Sequence, residues 1–241
     1  RKFDNSNDMW CLYKKLVDHN VWKLGRLGDD LNPAEAIYEI LKNEYWGCKY
    51  SDDRIDVESL IDIGTILEEE ELGISCLINS MSTAKSYITK ILNHVNGVCY
   101  DDPTTGKLTF KLIRKDYDVD SLKQFNTSNC ESLEFTRLDW SETKNVISVN
   151  FTDATNKYDD STFSVYDTAN ERITHNTEES NADGSYYTTP TNAKWLAKLS
   201  LLSSAYPLSA VNIVCNRYAY NLQLGEPILV TWTPYGISKQ V

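Results

Sequence analysis

The apolar residues of this chain change period partway along it. Between residues 32 and 95 they recur at helical spacing, and from Asn145 onward they mostly alternate with polar residues. A period near 3.6 builds an amphipathic helix, and a period of 2 builds a strand with one buried face. The order is helices mixed with strands, then strands, one helix, and strands again. That order predicts an α+β fold of two lobes: a mixed helix/strand lobe and a mostly β, barrel-like lobe with one packed helix. The division falls near residue 140, giving a connector at 1–31, a mixed segment at 32–140 and a β-rich segment at 141–241. The 241 residues suit one to two domains.

Asn32 is placed to cap a helix, with Pro33 at its first position and Glu35 three residues past the cap. Ile37, Tyr38, Ile40 and Leu41 form its stripe, and Gly47 marks its stop after Tyr45-Trp46. A second helix starts at Asp56, with Val57, Leu60, Ile61, Gly64 and Leu67 on one face. Segment 52–71 holds nine acids against one basic residue, Arg54. Acids at a helix C-terminus oppose its dipole, so this helix is predicted to end near Leu67, with Glu68–Glu71 as a solvated turn. Leu72–Ile78 reads as a buried strand. Ser82 caps the next helix, striped by Ala84, Tyr87, Ile88, Ile91, Leu92 and Val95, with Gly97 as its C-terminal glycine. Val98–Tyr100 and Lys107–Arg114 form a hairpin around the Asp101–Gly106 turn. Its paired aspartates lack the ligand spacing of a calcium loop.

Residues 115–140 read as an extended linker with one strand, anchored by Leu122, Phe125, Leu133, Phe135 and Leu138. Ile147, Val149 and Phe151 mark one strand, and Phe163 and Val165 another. Residues 167–190 read as a long exposed loop or hairpin. Thr191 caps a helix with Trp195, Leu196, Leu199 and Leu202 on its stripe, ended by Pro207. Two final strands bury Val211, Ile213 and Cys215, then Ile228, Val230 and Trp232. The chain opens on Arg1 rather than Met, and Ile237–Val241 follow the last strand with no closing element. Both features fit a segment of a longer protein.

Composition narrows the function. The net charge is −11 with a pI near 4.8, the opposite of the basic footprint that nucleic-acid binders need. No run reaches the ~18 apolar residues of a membrane span. The six cysteines show no C-x-x-C and no Cys/His cluster at metal-ligand spacing. Cys76, Cys99 and Cys215 lie in or beside apolar runs and read as reduced core thiols. No G-x-S-x-G, Walker, dinucleotide or H-E-x-x-H motif occurs. The three histidines, His19, His94 and His175, are isolated; His94 suits the end of its helix, and a Cys99–His94 pair stays open on spacing. Trp195 and Trp232 read as core, and Trp10, Trp22 and Trp46 as exposed or interface residues. No catalytic, cofactor-binding or metal residue is assigned, and no cofactor.

In order, Asn32-Pro33-Ala34 with Ile37, Tyr38 and Leu41, Tyr45-Trp46-Gly47, Ile55-Asp56, the helix Ser82–Val95 before Gly97-Val98, Gly106-Lys107-Leu108, Asn145-Val146-Ile147-Ser148-Val149 and the Leu224-Gly225-Glu226 turn resemble the tail-tip proteins of tailed phages. These are the tip attachment or baseplate hub proteins, and the likeness spans roughly residues 32–236. Glu226 stands where the family pattern has Asp, which keeps the carboxylate.

The resemblance implies a structural, non-enzymatic component of a phage or prophage tail tip that closes the tail tube and serves host attachment and DNA delivery. It implies a virion location after assembly in the bacterial cytoplasm, a homotrimer, and other tail proteins as partners. An acidic surface is compatible with a lumen through which DNA slides. Strands with unfilled edges, such as Ile147–Phe151, would suit pairing with neighbouring subunits. The alternatives are a glycan hydrolase, which needs only two carboxylates at the right separation, and a carbohydrate-binding module with an exposed row of aromatic rings.

Overall fold

A computed structural model describes residues 27, 29–78 and 82–240, and among these residues it sets out five helices and ten strands. Most of the predicted connector, with Trp10, Cys11, His19 and Trp22, lies outside the described residues. The fold is α+β, as the change of period predicts. Its sheets have two or three strands each, and none of them closes into a barrel. Contacts divide the chain into two compact units. The first runs through Leu112 and includes Ser185–Thr188; the second comprises Ile113–Gly184 and Thr189–Val241.

The first unit is helix-rich. Helix α1 (Pro33–Lys42) is capped by Asn32, whose Oδ1 accepts from the Ala34 amide at 3.0 Å. The same side chain donates from Nδ2 to the Gly64 carbonyl at 2.9 Å, so the cap also ties α1 to its neighbour. The helix stops at Lys42, short of the predicted Gly47, because the Asn43 side chain takes the amides of Tyr45 and Trp46 and turns the backbone away. Helix α2 (Val57–Glu69) starts at Asp56 as expected and outlasts Leu67 by two residues. Its buried face is Leu60, Ile63, Gly64 and Leu67, while Ile61 faces solvent. The true stripe is thus rotated from the predicted one.

Leu72–Ile78 is not a strand. Leu72 and Ile74 are buried, but a single bridge to Leu31 is the pairing there, and Leu77 and Ile78 are exposed. Helix α3 (Ala84–Val95) is capped by Thr83 rather than Ser82. Its left-handed exit falls on Asn96 at φ 53°, so Gly97 begins the following strand instead of ending the helix. The hairpin is as predicted: β1 (Gly97–Asp101) pairs antiparallel with β2 (Leu108–Leu112). The start of α2 is pinned to β2, with the Asp56 amide donating to the Leu108 carbonyl and the Phe110 amide to Ser59 Oγ.

The second unit is mostly β. Residues 115–140 hold two strands, β3 (Lys123–Phe125) and β4 (Cys130–Arg137), rather than a linker with one. β5 (Val146–Asp153) and β6 (Asp159–Tyr166) form an antiparallel pair, but the expected alternation fails: Val146–Val149 are all buried, Ser148 with its hydroxyl bonded to Ser164 and Glu179. Residues 167–190 are not a loop: they contain helix α4 (Thr168–Thr174) and strand β7 (Glu179–Asp183). β7 pairs parallel to β5, so the order is β6-β5-β7. β5 is therefore central and has no free edge to offer a neighbouring subunit, contrary to the sequence expectation.

Helix α5 (Pro190–Ser204) packs on this sheet. Its cap is Thr189, which lets Pro190 take the first helical position; the predicted Thr191 lies inside the helix. It buries Asn192, Ala193, Leu196 and Ala197, and Leu202 is 70% exposed. β8 (Ser209–Cys215) pairs antiparallel with β4. β9 (Ile228–Trp232) lies between β3 and β10 (Ile237–Gln240), so the residues after Trp232 also pair as a strand. Phe125, Cys130, Leu133, Val230 and Trp232 form the core that joins these strands.

A buried polar knot holds the β5 end of the second unit. Asn170 Nδ2 donates to Thr143 Oγ1 at 2.8 Å and to the Ala205 carbonyl at 2.5 Å, and its Oδ1 accepts from Asn145 Nδ2 at 3.2 Å. Asn145 also donates to the Asn176 carbonyl and accepts the Glu178 amide. One cluster thus fixes the entry to β5, helix α4 and the end of α5.

Candidate functional site: an apolar ribbon left uncovered

The β4–β8 ribbon has two chemically distinct halves on one face. Register places Leu133 opposite Ile213 and Phe135 opposite Val211. Positions two apart on a strand share a face, so these four residues form one apolar stripe. The Leu133 half packs on the core of the second unit. The Phe135 half does not: Phe135 is 44% and Val211 36% exposed. Beyond the strands the Leu138 amide donates to the Leu208 carbonyl, and both side chains are exposed; three residues from Phe135 and Val211, they have the parity of the other face. Tyr206, half exposed, meets Trp140 edge-on at 6.5 Å. Within its sheet the ribbon has two strands, so each presents one unpaired edge. Arg137 and Ser209, the next pair on the face of Phe135 and Val211, are exposed and polar and bound the stripe at its open end. An apolar patch with a polar rim is the anatomy of a contact surface.

The residues with catalytic potential are not assembled into one place. His94 is buried. Its Nε2 accepts from the Tyr186 amide at 3.3 Å, which assigns the ring proton to Nδ1, and Nδ1 then donates to the Lys90 carbonyl at 2.8 Å. The ring stacks on Tyr186 and meets Tyr187 edge-on, and the Tyr187 hydroxyl donates to the His94 carbonyl. His94 is a neutral packing residue here, not a cationic cap. Burial pushes the Cys99 thiol up, away from a reactive thiolate. His175 takes the left-handed position after α4 and lines an open, polar concavity with Glu171 and Arg172. A second open concavity lies along α3, lined by Lys85 and Lys90 among others.

Two acids have raised pKa values. Burial, with Glu39 nearby, pushes Glu35 up to about 7. Burial also raises Asp30, partly offset by a hydrogen bond from Thr188. Both sit in packed surroundings of the first unit, and neither lines a concavity named above. Asp102 is held below the usual carboxylate range by the Thr104 and Thr105 hydroxyls and the Thr104 amide, which makes it a turn-former. Among the described residues no group of three or more His, Cys, Asp or Glu is placed to hold a metal. Among them, too, no helix is long and apolar enough to cross a membrane.

Trp232 is core as predicted, and Trp195 is half-buried under the Arg114 guanidinium at 5.1 Å. Trp46 is exposed, beside Tyr45. The sequence reading singled out neither the ribbon nor the asparagine knot. The ribbon was detectable in outline, since Leu133-Phe135 and Val211-Ile213 both alternate. Nothing local says that the two runs pair, or that the core stops halfway along them.

Residues 83–240, about two thirds of the chain, match the family described as "Putative phage tail protein". No curated protein matches the chain. Among solved structures, the 43 kDa tail protein of prophage MuSo2 from Shewanella oneidensis is similar at 12% identity and a TM-score of 0.44, over 68% of this chain and 49% of that one. The prophage tail protein gp18 from Listeria monocytogenes EGD-e is similar at 17% identity and a TM-score of 0.36, over 63% of this chain and 44% of that one. The chain thus spans less than half the length of each of these structures. With most of its length inside the family match, the chain belongs to this phage tail protein family.

Proposed function

We propose that this protein is a structural module of the tail tip, or baseplate hub, of a phage or prophage. In this reading it helps close the tail tube and serves host attachment and DNA delivery. It works as a homotrimer in contact with tube and distal tail proteins, is assembled in the bacterial cytoplasm and is carried in the virion tail. The reading rests on contacts rather than chemistry. The observation that carries it is the uncovered half of the β4–β8 ribbon, where Phe135 and Val211 give an apolar surface next to unpaired strand edges. Such surface is costly to leave in water and is what an assembly would bury. The net charge of −11 supports passage of DNA without adhesion.

The test is immunogold labelling of particles induced from a lysogen that carries this coding sequence. Label confined to the distal end of the tail is expected. Label along the tube, or particles without label, would refute the tip assignment. Chemical cross-linking of the same particles should cap the ladder of this chain at three copies; a sixfold ladder would refute the trimer.

A further inference from the structure

The base of the ribbon carries a pair of cysteines that the tail role does not use. Cys130 on β4 and Cys215 on β8 are register partners in the antiparallel ladder. The pair one step further out, Asn129 and Asn216, is joined by the Asn216 amide donating to the Asn129 carbonyl. The Cys130 amide bonds instead to the Asn126 carbonyl. Cys130 and Cys215 therefore face each other with no ladder bond between them, just beside the β-bulge between Cys130 and Ser132. Facing residues of an antiparallel pair stand roughly 4.5–5.5 Å apart, inside the roughly 4.4–6.8 Å window of a disulfide. Both side chains also lie on the same side of the ribbon: Cys130 is part of the apolar cluster with Leu133 and Trp232, and Cys215 packs against it. Both are free thiols here.

We propose that Cys130 and Cys215 form a redox latch, closing to an intramolecular disulfide when the protein meets a small disulfide oxidant outside a reducing cytoplasm. The half-buried Cys215 is the entry point. Its thiolate attacks the oxidant disulfide and releases one small thiol, leaving a mixed disulfide on Cys215. The Cys130 thiolate then attacks the Cys215 sulfur and releases the second small thiol. Two protein thiols are oxidised, one small disulfide is reduced to two thiols, and two protons leave the protein cysteines. Burial, with Cys215 beside it, pushes the Cys130 thiol up, so the second step is the slow one. The link closes an 85-residue span that contains the whole β6-β5-β7 sheet and α5. Closing a loop of that length restricts the unfolded chain strongly. The latch also fixes the ribbon at its base while leaving the Phe135 end free.

The test uses the full chain, reduced and then equilibrated with graded ratios of oxidised to reduced glutathione. Free thiols are alkylated and the peptides mapped without reduction. The expected result is one dominant cross-linked pair, 130 with 215, a mass loss of ~2 Da, and a Tm raised by roughly 5–10 °C that reverts with dithiothreitol. Cys215→Ser should abolish both the link and the rise, leaving alkylation of Cys48, Cys76 and Cys99 as in the parent. If that variant folds poorly, the double Cys130→Val, Cys215→Val substitution serves as the unlinkable control, and the peptide map of the parent decides the question without either. The proposal is overturned if Cys215 stops at a mixed disulfide at every ratio. It is equally overturned if another cysteine pair dominates, or if the 130–215 link forms with no rise in Tm.

Discussion

Glu35 offers a measurement in which the sign as well as the size follows from the structure. Glu35 lies in the first turn of α1 and is 8% exposed. Burial, with Glu39 adding like charge, raises its pKa from 4.5 to about 7. A carboxyl whose folded pKa lies above its unfolded value binds its proton more tightly when folded. Stability is then greatest below about pH 4.5 for this group and falls as pH rises toward 7. At about 1.36 kcal/mol per pH unit, a rise from 4.5 to about 7 corresponds to at most ~3.4 kcal/mol, and partial solvent screening brings the loss to the order of 2–3 kcal/mol by pH 7 to 8. Glu35→Gln keeps the shape and removes the ionisation.

The variant should therefore match the parent near pH 4.5 and exceed it by about 2–3 kcal/mol near pH 8, a shift of roughly 1–1.5 M in urea midpoint. Hydrogen exchange in the 33–42 peptides reports the first unit alone and is the assay of choice. Asp30 shifts the same way, and the exposed Asp102 and Asp153, whose pKa values are lowered, shift the opposite way. All three cancel in the difference between variant and parent. A difference that stays flat from pH 4.5 to 8, or that favours the parent as pH rises, would refute the argument that desolvation governs this side chain.

Asn170→Ala should cost about 3–4 kcal/mol, because it leaves Thr143 Oγ1, the Ala205 carbonyl and Asn145 Nδ2 short of a partner at once; thermal melts would register it as a fall of about 10 °C. Gly184→Ala should cost about 2–3 kcal/mol, since the new Cβ would stand 2.9 Å from the Asn150 carbonyl oxygen and press on Val149; a midpoint within 0.3 M urea of the parent would contradict this close approach. Phe135→Asp with Val211→Asp should cost about 1–3 kcal/mol, because each side chain is still more than half covered and the two carboxylates would face each other across the ladder. The same pair should lower self-association in sedimentation velocity, and an unchanged sedimentation profile beside an associating parent would remove the ribbon as the contact.

Helix starts were the most legible part of this sequence, because a cap is a local contract between one side chain and the next three amides. Asn32 and Asp56 open their helices as read, and the two missed caps, Thr83 and Thr189, lie one and two residues from the predicted ones. Faces were less legible. α5 carries Leu199 and Leu202 outside the buried set and turns Ala193 and Ala197 inward, because small residues let a helix lie close to a sheet, and size is not what hydrophobic periodicity scores. β7 was invisible for a different reason. Glu179–Asp183 has one apolar residue, Ala182, and is held by parallel backbone pairing to a strand about thirty residues earlier, a non-local interaction without a local pattern.

The candidate surface was illegible for a reason that bears on its role. In the sequence, Leu133 and Phe135 are equivalent members of one alternating run, and so are Ile213 and Val211. The structure breaks that equivalence: Leu133 is 5% exposed and Phe135 44%, though they share a face and lie two residues apart. Removing about 100 Å² of apolar surface from water is worth roughly 2.5 kcal/mol, so an apolar pair kept at the open end of a ribbon forgoes stabilisation that the fold could have used. Burial within the chain therefore does not account for Phe135 and Val211, whereas burial against another chain would. A double-mutant cycle between Phe135→Ala and a substitution in the contacting subunit should give a coupling of about 1 kcal/mol or more in assembled tails. Coupling indistinguishable from zero, with assembly intact, would mean that the ribbon end is ordinary exposed surface.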